Sequence, residues 1–306
     1  MRAACGDSRQ PSLSLIGLGA MGLPMARNLA GARPLSVWNR TERPGREVPG
    51  ADRPQRLADA AAEVVVTVLP DLEDVRKVLY GEGPEPGLLH GFRERGISEP
   101  IVMVCGTVSG VGVRELAHET RAYGMRLVDA PLSGGVLGAE HGELSIMVGA
   151  EPELFDTVRS ALAPCARSIL RMGSIGTGAT AKLCNQVVVA QTVTALSEAF
   201  ALARSAGIEP ETLAEALSMG LAGSEVLRQK RDHWIDESFE PGGTISYQVK
   251  DLRYATELAQ EGGLDLASLR TALQLFERAE AAGDGGLDHT GVYRVINAPA
   301  DTRDRS

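Results

Sequence analysis

One lysine stands in a setting that suits acid–base chemistry. Lys182 follows Gly178-Ala179-Thr180-Ala181 at the start of a long helical pattern of apolar and small residues. Asn185 and Gln186 come three and four positions later, so either of them shares a helical face with Lys182. Burial and the helix dipole both disfavour an ammonium group near a helix start, which lowers a lysine pKa towards the range useful for proton transfer. A lysine on a helix is more often a solvated side chain, and that alternative stays open.

A second group, near the N-terminus, has the spacing of a dinucleotide-binding loop. An apolar run ending at Ile16 leads directly into Gly17-Leu18-Gly19-Ala20-Met21-Gly22, and a helical pattern follows. Gly17 permits a tight turn, Gly19 lets the backbone approach a pyrophosphate, and Gly22 lets the helix pack closely on the strand. The free N–H groups at the helix start would face the phosphates. A glycine turn without a ligand is disfavoured by this position between strand and helix.

The end of the next apolar run bears on which dinucleotide binds. Asn39, Arg40 and Thr41 stand there, about 20 residues after the glycines, where an NAD site usually places Asp or Glu. A 2'-phosphate is not repelled by these residues, and Arg40 can pair with its charge. The segment therefore predicts NADP rather than NAD. A solvated turn arginine is the alternative.

A third group could hold a carboxylate. Asp129-Ala130-Pro131-Leu132-Ser133-Gly134-Gly135 follows another apolar run. Backbone N–H groups at Gly134 and Gly135, together with the hydroxyl of Ser133, would form a cradle for a small carboxylated substrate. A tight loop with no ligand explains the same residues equally well.

The elements that must position these groups alternate along the chain. Strand-like runs separated by helical patterns predict a Rossmann-type, doubly wound parallel sheet in an α/β domain over residues 1–173. Gly173, Gly176 and Gly178 predict a flexible joint, and helical spacing then continues almost to Ile296, which predicts an all-helical domain over residues 174–306. The predicted strands are Leu13 to Ile16, Leu35 to Trp38, Val64 to Leu69, Ile101 to Val104, Met125 to Val128 and Leu144 to Val148, and a helix is predicted from Pro152 to Leu162.

Composition narrows the function class. The 306 residues carry a formal net charge of -9, which argues against an extended nucleic-acid surface. The apolar stretch Leu183 to Leu202 contains amides and a glutamate, so no membrane span is expected. The cysteines have no paired spacing, which suits free thiols in a reducing cytoplasm. The five histidines share no ligand spacing and no metal site is expected, while the acidic segment Asp284 to Asp288 is interpreted as a turn.

Taken together, the motifs resemble the β-hydroxyacid dehydrogenase family, which includes 3-hydroxyisobutyrate dehydrogenase and tartronate semialdehyde reductase. The resemblance spans nearly the whole chain and rests on four motifs in the family's order: Gly17 to Ala26, Asp129 to Gly135, Lys182 to Gln186 and Lys250-Asp251-Leu252.

The resemblance implies a role for each matching residue. Lys182 would be the catalytic acid in reduction, and Ser133, Gly134 and Gly135 would hold the substrate carboxylate. Asn185 and Gln186 would fix the substrate oxygen, and their pairing resembles the tartronate semialdehyde reductase branch. The cofactor would be contacted by Leu69, Pro70, Thr107 and Lys250 in addition to the glycine loop.

One segment departs from the family pattern, which is Asp-x-Ser-Thr-x-x-Pro after the fourth strand. Here the run is Val104-Cys105-Gly106-Thr107-Val108-Ser109-Gly110, so glycines replace the serine and the proline. The missing serine removes a hydrogen bond worth on the order of 1 kcal/mol or more. On this basis Gly106→Ser is expected to improve turnover of a family substrate.

Two other functions fit parts of the pattern. Imine reductases resemble the chain at the glycine loop and at Trp38 to Thr41, but they generally lack the lysine. A non-catalytic NADPH-binding protein would have no need of an inward Lys182. The small-residue helix that begins near Thr180 also suits a homo-oligomer, either a dimer or a tetramer.

Overall fold

The computed structural model describes residues 10–41, 45 and 47–298. Internal contacts divide the chain into two units, Met1–Lys182 and Leu183–Ser306. The elements before the long connecting helix are β1 (Leu13–Ile16), α1 (Gly22–Ala32), β2 (Ser36–Trp38), β3 (Val64–Thr67), α2 (Leu72–Tyr80), β4 (Gly81–Glu82), β5 (Glu85–Pro86), α3 (Leu88–Glu94), β6 (Ile101–Val104), α4 (Gly110–Arg121), β7 (Arg126–Asp129), β8 (Leu132–Ser133), α5 (Gly135–His141), β9 (Leu144–Gly149), α6 (Pro152–Leu162) and β10 (Ala166–Gly173). They are followed by α7 (Thr177–Ser205), α8 (Pro210–Ser218), α9 (Glu225–Ile235), α10 (Ile245–Glu261), α11 (Ala267–Ala279) and α12 (Tyr293–Ile296).

The first unit is built on an eight-stranded sheet with the strand order β10-β9-β7-β6-β3-β1-β2, and β8 pairs with β9. The five strands from β7 to β2 are parallel. Their last residues also lie in register, because Ile16 pairs with both Trp38 and Thr67, Thr67 pairs with Val104, and Val104 pairs with Asp129. The loops that follow these strands therefore leave the sheet from the same edge.

The central strands are mostly apolar because helices cover both sheet faces. Along β3, Val64 and Val66 belong to one buried cluster, while Val65 belongs to the cluster on the opposite face. A strand that alternates between two dry faces has no solvent side on which to place polar residues. The Rossmann-type fold expected from the alternation of strands and helices is confirmed.

The sheet is not wholly parallel, which corrects the sequence-based expectation. Asp129 of β7 pairs with Gly149 of β9 in antiparallel fashion, and β8 pairs antiparallel with β9. The sequence pattern also missed β10, which pairs parallel to β9 at the edge of the sheet. Several of its residues, including Leu170 and Arg171, are exposed, so β10 lacks the continuous apolar run that identified the central strands.

The second unit is helical, as expected. Its core includes Phe200 and Trp234, whose rings stack with centroids 5.5 Å apart, and the Trp234 indole N–H donates to Ser197 Oγ at 3.0 Å. The acidic turn near the C-terminus is also structured. There, the buried Asp288 carboxylate receives hydrogen bonds from Lys230 Nζ at 2.6 Å and from Thr290.

Helix α7 spans the boundary between the units and is 29 residues long. By its length and its mean hydropathy of 1.3, α7 would also be long and apolar enough to cross a membrane. One face of the helix, including Val193 and Phe200, lies in the helical core, as a core helix requires. Val188 and Leu202, which lie on α7 outside this core, are 65% and 71% exposed.

Candidate active site

The glycine loop after β1 has the shape that a pyrophosphate requires. Gly17 has φ of +100°, and a Cβ added to it would lie 2.5 Å from the carbonyl oxygen of Val68. A Cβ on Gly22 would lie 1.9 Å from the carbonyl oxygen of Gly17, so α1 packs too closely on the turn for any side chain. At Gly19, by contrast, a Cβ would meet no atom within 4 Å. Gly19 therefore faces open space in which a phosphate can approach the backbone.

The start of α1 is suited to an anion. Its N-cap, Met21, makes no side-chain capping bond, and the first turn carries no acidic residue. Helix N-termini present N–H groups and a positive partial charge. These residues fit a dinucleotide, with Gly17, Leu18, Gly19, Ala20, Met21 and Gly22 as its cradle.

The residue that follows β2, Asn39, stabilises the glycine loop, which the sequence did not indicate. Asn39 Oδ1 accepts a hydrogen bond from the N–H of Leu18 at 2.8 Å, and its Nδ2 donates to the carbonyl oxygen of Thr41 at 2.6 Å. Asn39 thus braces the glycine loop instead of presenting its amide to a 2'-phosphate. Arg40 and Thr41 are exposed and remain the candidate phosphate ligands.

The loops after β3 and β6 lie against each other and against the glycine loop. Leu69 Cδ2 would be 3.0 Å from a Cβ on Gly17, which places Leu69 beside the glycine loop, and Pro70 follows as an exposed residue. A Cβ on Gly106 would be 2.2 Å from the carbonyl oxygen of Leu69. Thr107, the next residue, is therefore held close to the same edge.

This geometry argues against the expectation that Gly106→Ser improves turnover. Any side chain at Gly106 collides with the backbone of Leu69, so the glycine is required by packing. Gly110 is similar, because a Cβ there would lie 2.9 Å from Thr180 Oγ1 in the first turn of α7. Both departures from the family pattern are places where two segments approach closely.

The candidate carboxylate cradle follows β7. Ser133 ends β8 and pairs with Ser145, and the next two residues both have left-handed backbone, with φ of +129° at Gly134 and +65° at Gly135. Gly134 and Gly135 are exposed, and a Cβ on Gly135 would meet no atom within 4 Å. Two consecutive residues with positive φ turn the backbone sharply where α5 begins, and the surroundings of Gly135 at this turn are open.

Lys182 lies near the start of α7 and is only 9% exposed. The helix start is held by Asp129, whose Oδ1 accepts from the N–H of Gly176 at 2.8 Å and whose Oδ2 accepts from the N–H of Ala179 at 2.6 Å. The expected flexible joint is therefore wrong, because Gly176 is tied to the sheet and Gly178 lies within the helix. The sequence-based assignment gave Asp129 no role, although an acid that ends an apolar strand is a signal of a buried carboxylate.

Burial raises the pKa of Asp129 to about 6, against the lowering effect of the backbone N–H donors around it. The carboxylate is thus ionised at neutral pH but becomes protonated in mildly acidic solution. Protonation removes part of the acceptor capacity on which the start of α7 depends.

Four side chains of the second unit are linked by two hydrogen bonds and an ion pair. Asn185 Nδ2 donates to Gln186 Oε1 at 3.1 Å, Gln186 Nε2 donates to Asp251 Oδ2 at 2.7 Å, and Lys250 Nζ lies 3.0 Å from Asp251 Oδ1. Asp251 therefore links the amide pair to Lys250. Its role was not predicted, although it belongs to the Lys250-Asp251-Leu252 motif.

Comparison with known proteins identifies the family. The model described as "NAD binding domain of 6-phosphogluconate dehydrogenase" matches residues 12–173, and the one described as "NAD-binding of NADP-dependent 3-hydroxyisobutyrate dehydrogenase" matches residues 176–296. The chain is 31% identical to 2-hydroxy-3-oxopropionate reductase of Escherichia coli, with 94% of this chain and 98% of the relative covered. The chain belongs to the β-hydroxyacid dehydrogenase family. This β-hydroxyacid dehydrogenase is an NAD(P)-dependent oxidoreductase that acts on a CH–OH group.

Solved structures agree with that assignment. A 3-hydroxyisobutyrate dehydrogenase from Salmonella typhimurium has a TM-score of 0.81 at 26% identity, over 93% of this chain and 99% of its own chain. An imine reductase from Myxococcus stipitatus, in complex with NADP+, has a TM-score of 0.61 at 17% identity, over 93% of this chain and 99% of its own chain. The second similarity concerns the fold alone.

Proposed function

We propose that this β-hydroxyacid dehydrogenase uses NADP to interconvert a small β-hydroxy acid and its aldehyde or keto acid, of the tartronate semialdehyde or 3-hydroxyisobutyrate type. The observation that carries the proposal is the buried Lys182, held on a helix whose first turn is anchored to the sheet. The relative named 2-hydroxy-3-oxopropionate reductase supports this substrate class.

The reaction combines a hydride transfer with a proton transfer. When bound, the nicotinamide supplies the hydride for reduction or accepts it in oxidation. Lys182 donates a proton to the carbonyl oxygen in reduction and takes it back from the hydroxyl group in oxidation.

Ser133, Gly134 and Gly135 hold the substrate carboxylate, and Asn185 and Gln186 orient the reacting oxygen. Asn185 Oδ1 takes no part in the two hydrogen bonds that link Asn185, Gln186 and Asp251. We therefore assign the substrate contact first to Asn185. Lys250 would contact the cofactor, with Asp251 keeping its ammonium group in place.

The preference for NADP over NAD rests on charge at the end of β2. Arg40 supplies a cation, and Asn39 braces the loop without adding the negative charge that would repel a 2'-phosphate. Thr41 adds a hydroxyl donor. We expect kcat/KM to be higher with NADPH than with NADH, and equal values would refute this preference.

The test is a screen of aldehyde acids, hydroxy acids and cyclic imines that follows the absorbance of the reduced cofactor. Lys182→Met should lower kcat by about 10²-fold or more, the contribution typical of a general acid, while leaving NADPH affinity unchanged. Lys77→Met is the matched control, because Lys77 is a partly exposed helix lysine that pairs with Glu73 and carries no proposed site role. Turnover of imines but not of aldehyde acids, or full activity in Lys182→Met, would contradict the proposal.

We also propose that residues 1–173 bind the dinucleotide in a cytoplasmic enzyme, and that residues 174–306 supply substrate contacts and the interface of a homo-oligomer. The apolar side chains of Val188 and Leu202 are exposed on α7, and a second copy of the chain would cover them. Light scattering should then give the mass of a dimer or tetramer. Val188→Asp should lower that mass, whereas a monomeric wild type would refute this assignment.

A further inference from the structure

Asp129 supplies an N-cap to α7 from a distant part of the chain. N–H groups in the first turn of a helix have no acceptor within the helix. Here the N–H groups of Gly176 and Ala179 donate to the two carboxylate oxygens of Asp129, which is fully buried at the end of β7. Side-chain caps usually come from the residue just before the helix. In this case the cap joins the helix to the central sheet.

The space around this carboxylate is closed. A Cβ on Gly149 would lie 2.3 Å from Asp129 Oδ1, and a Cβ on Gly178 would lie 2.9 Å from Oδ2 and 2.3 Å from the carbonyl oxygen of Met147. The carboxylate cannot move aside in the folded chain, and a longer acidic side chain does not fit. The helix start is thus fixed both by hydrogen bonds and by contact.

Ala179 and Lys182 are three residues apart on one helix, so they lie on the same face about 4.5 Å apart along the axis. Anchoring the N–H of Ala179 fixes the rotation and height of the turn that carries Lys182. We propose that Asp129 is a positioning residue that holds Lys182 in its reactive place by anchoring the first turn of α7. This inference rests on the proposed acid–base role of Lys182.

The anchor depends on charge. The groups that face the carboxylate are backbone amides, namely its own and those of Gly176, Gly178 and Ala179. Two cationic side chains stand on the surrounding elements: Arg114 of α4, whose Cγ would be 2.7 Å from a Cβ on Gly176, and Lys182 of α7. Because burial raises the pKa of Asp129 to about 6, the carboxyl group is protonated in mildly acidic solution. One of its oxygens then carries a proton instead of accepting from an N–H group, so the first turn of α7 shifts and the activity should fall there.

The test is Asp129→Asn in the full-length enzyme. The amide keeps the shape of the side chain but has one acceptor oxygen, so it cannot accept from both N–H groups. We expect kcat at neutral pH to fall about tenfold, since a hydrogen bond to a charged group is worth at least that factor, while the KM for NADPH stays unchanged. The acid limb of the kcat profile near pH 6 should disappear in the variant.

Hydrogen exchange gives a readout that needs no substrate. Peptides covering 176–182 should exchange about tenfold faster in Asp129→Asn, while peptides of the glycine loop do not change. Because the raised pKa of Asp129 means that the folded protein takes up this proton more readily than an opened helix start does, protection in the wild type should persist below about pH 6. The acid limb of the wild-type kcat profile then decides the question even if the variant fails to fold. Ser224→Ala is the matched control, because Ser224 caps α9 through the N–H of Leu227 and that helix carries no proposed site residue.

The outcomes are separable. Unchanged exchange at 176–182 in an active enzyme, or a kcat and acid limb that survive Asp129→Asn, would overturn the role of Asp129 alone. If Asp129→Asn and Ser224→Ala lower kcat equally at equal thermal stability, the contact of Asp129 with α7 is merely structural. That result also overturns the positioning role of Asp129. A wild-type enzyme that turns over no member of the substrate panel would defeat the proposed function together with this inference.

Discussion

Replacing Gly106 by serine tests whether the site is shaped by close backbone contacts. The added Cβ would lie 2.2 Å from the carbonyl oxygen of Leu69, whereas carbon–oxygen contacts of real side chains essentially never fall below 3.0 Å. The two loops must therefore separate by roughly 1 Å, a shift whose energetic cost is about 1–3 kcal/mol, as for overpacking in a core. In a unit of this size such a loss lowers the melting temperature by about 2–12 °C.

The variant should be compared with Gly31→Ser, because Gly31 lies in α1 and a Cβ there meets no atom within 4 Å. Thermal unfolding followed by circular dichroism should show a clear loss for Gly106→Ser and a change of less than about 1 kcal/mol for the control. Turnover should also fall, since Leu69 and Thr107 flank the contact. A Gly106→Ser enzyme with unchanged stability and faster turnover would refute the packing argument and restore the serine as a missing substrate ligand.

Three further predictions concern other parts of the chain. Lys230→Met should destabilise the helical unit by about 3 kcal/mol, because it removes the ammonium partner of Asp288 Oδ2 and leaves the fully buried carboxylate with only Thr290 and two histidines, all on the side of Oδ1. Adding Asp288→Asn should recover part of the loss in urea unfolding. Asn39→Asp should keep the acceptor for the N–H of Leu18 but lower kcat/KM with NADPH relative to NADH, and an unchanged ratio would contradict the charge argument. Burial lowers the pKa of His233 and His289 below 6.5, so their contribution to stability is present above that pH and is lost as the pH falls through their folded values. Urea midpoints of a His233→Gln, His289→Gln variant should then vary less between pH 7 and pH 5 than those of the wild type.

The sequence predicted those features that depend on local pattern. The run from Leu13 to Ile16 followed by Gly17, Gly19 and Gly22 specifies a strand, a tight turn and a helix within a short segment, and the structure has all three. The helix predicted from Pro152 to Leu162 has those bounds in the structure. Such features follow from apolar spacing and from backbone conformations that only glycine adopts readily.

Features that depend on pairing between distant segments could not be predicted in this way. The antiparallel pair formed by Asp129 and Gly149, the edge strand β10 and the contact between Gly106 and Leu69 all join residues far apart in the chain. Gly106 shows the consequence most directly. In the sequence, Gly106 is interpreted as the loss of a serine hydroxyl group. In the fold, Gly106 lies so close to Leu69 that no side chain fits.

The register of the sheet explains why a helix that begins at Thr177 can depend on a residue as distant as Asp129. Ile16, Trp38, Thr67, Val104 and Asp129 form one aligned row at the carboxyl ends of five parallel strands. The first four are followed by the glycine loop and by the loops that flank it, and the fifth turns its carboxylate to the first turn of α7. The glycine loop and the helix that carries Lys182 are therefore both positioned by the same row of strand ends. A displacement of Asp129 would move Lys182 relative to the glycine loop even though neither of them is altered.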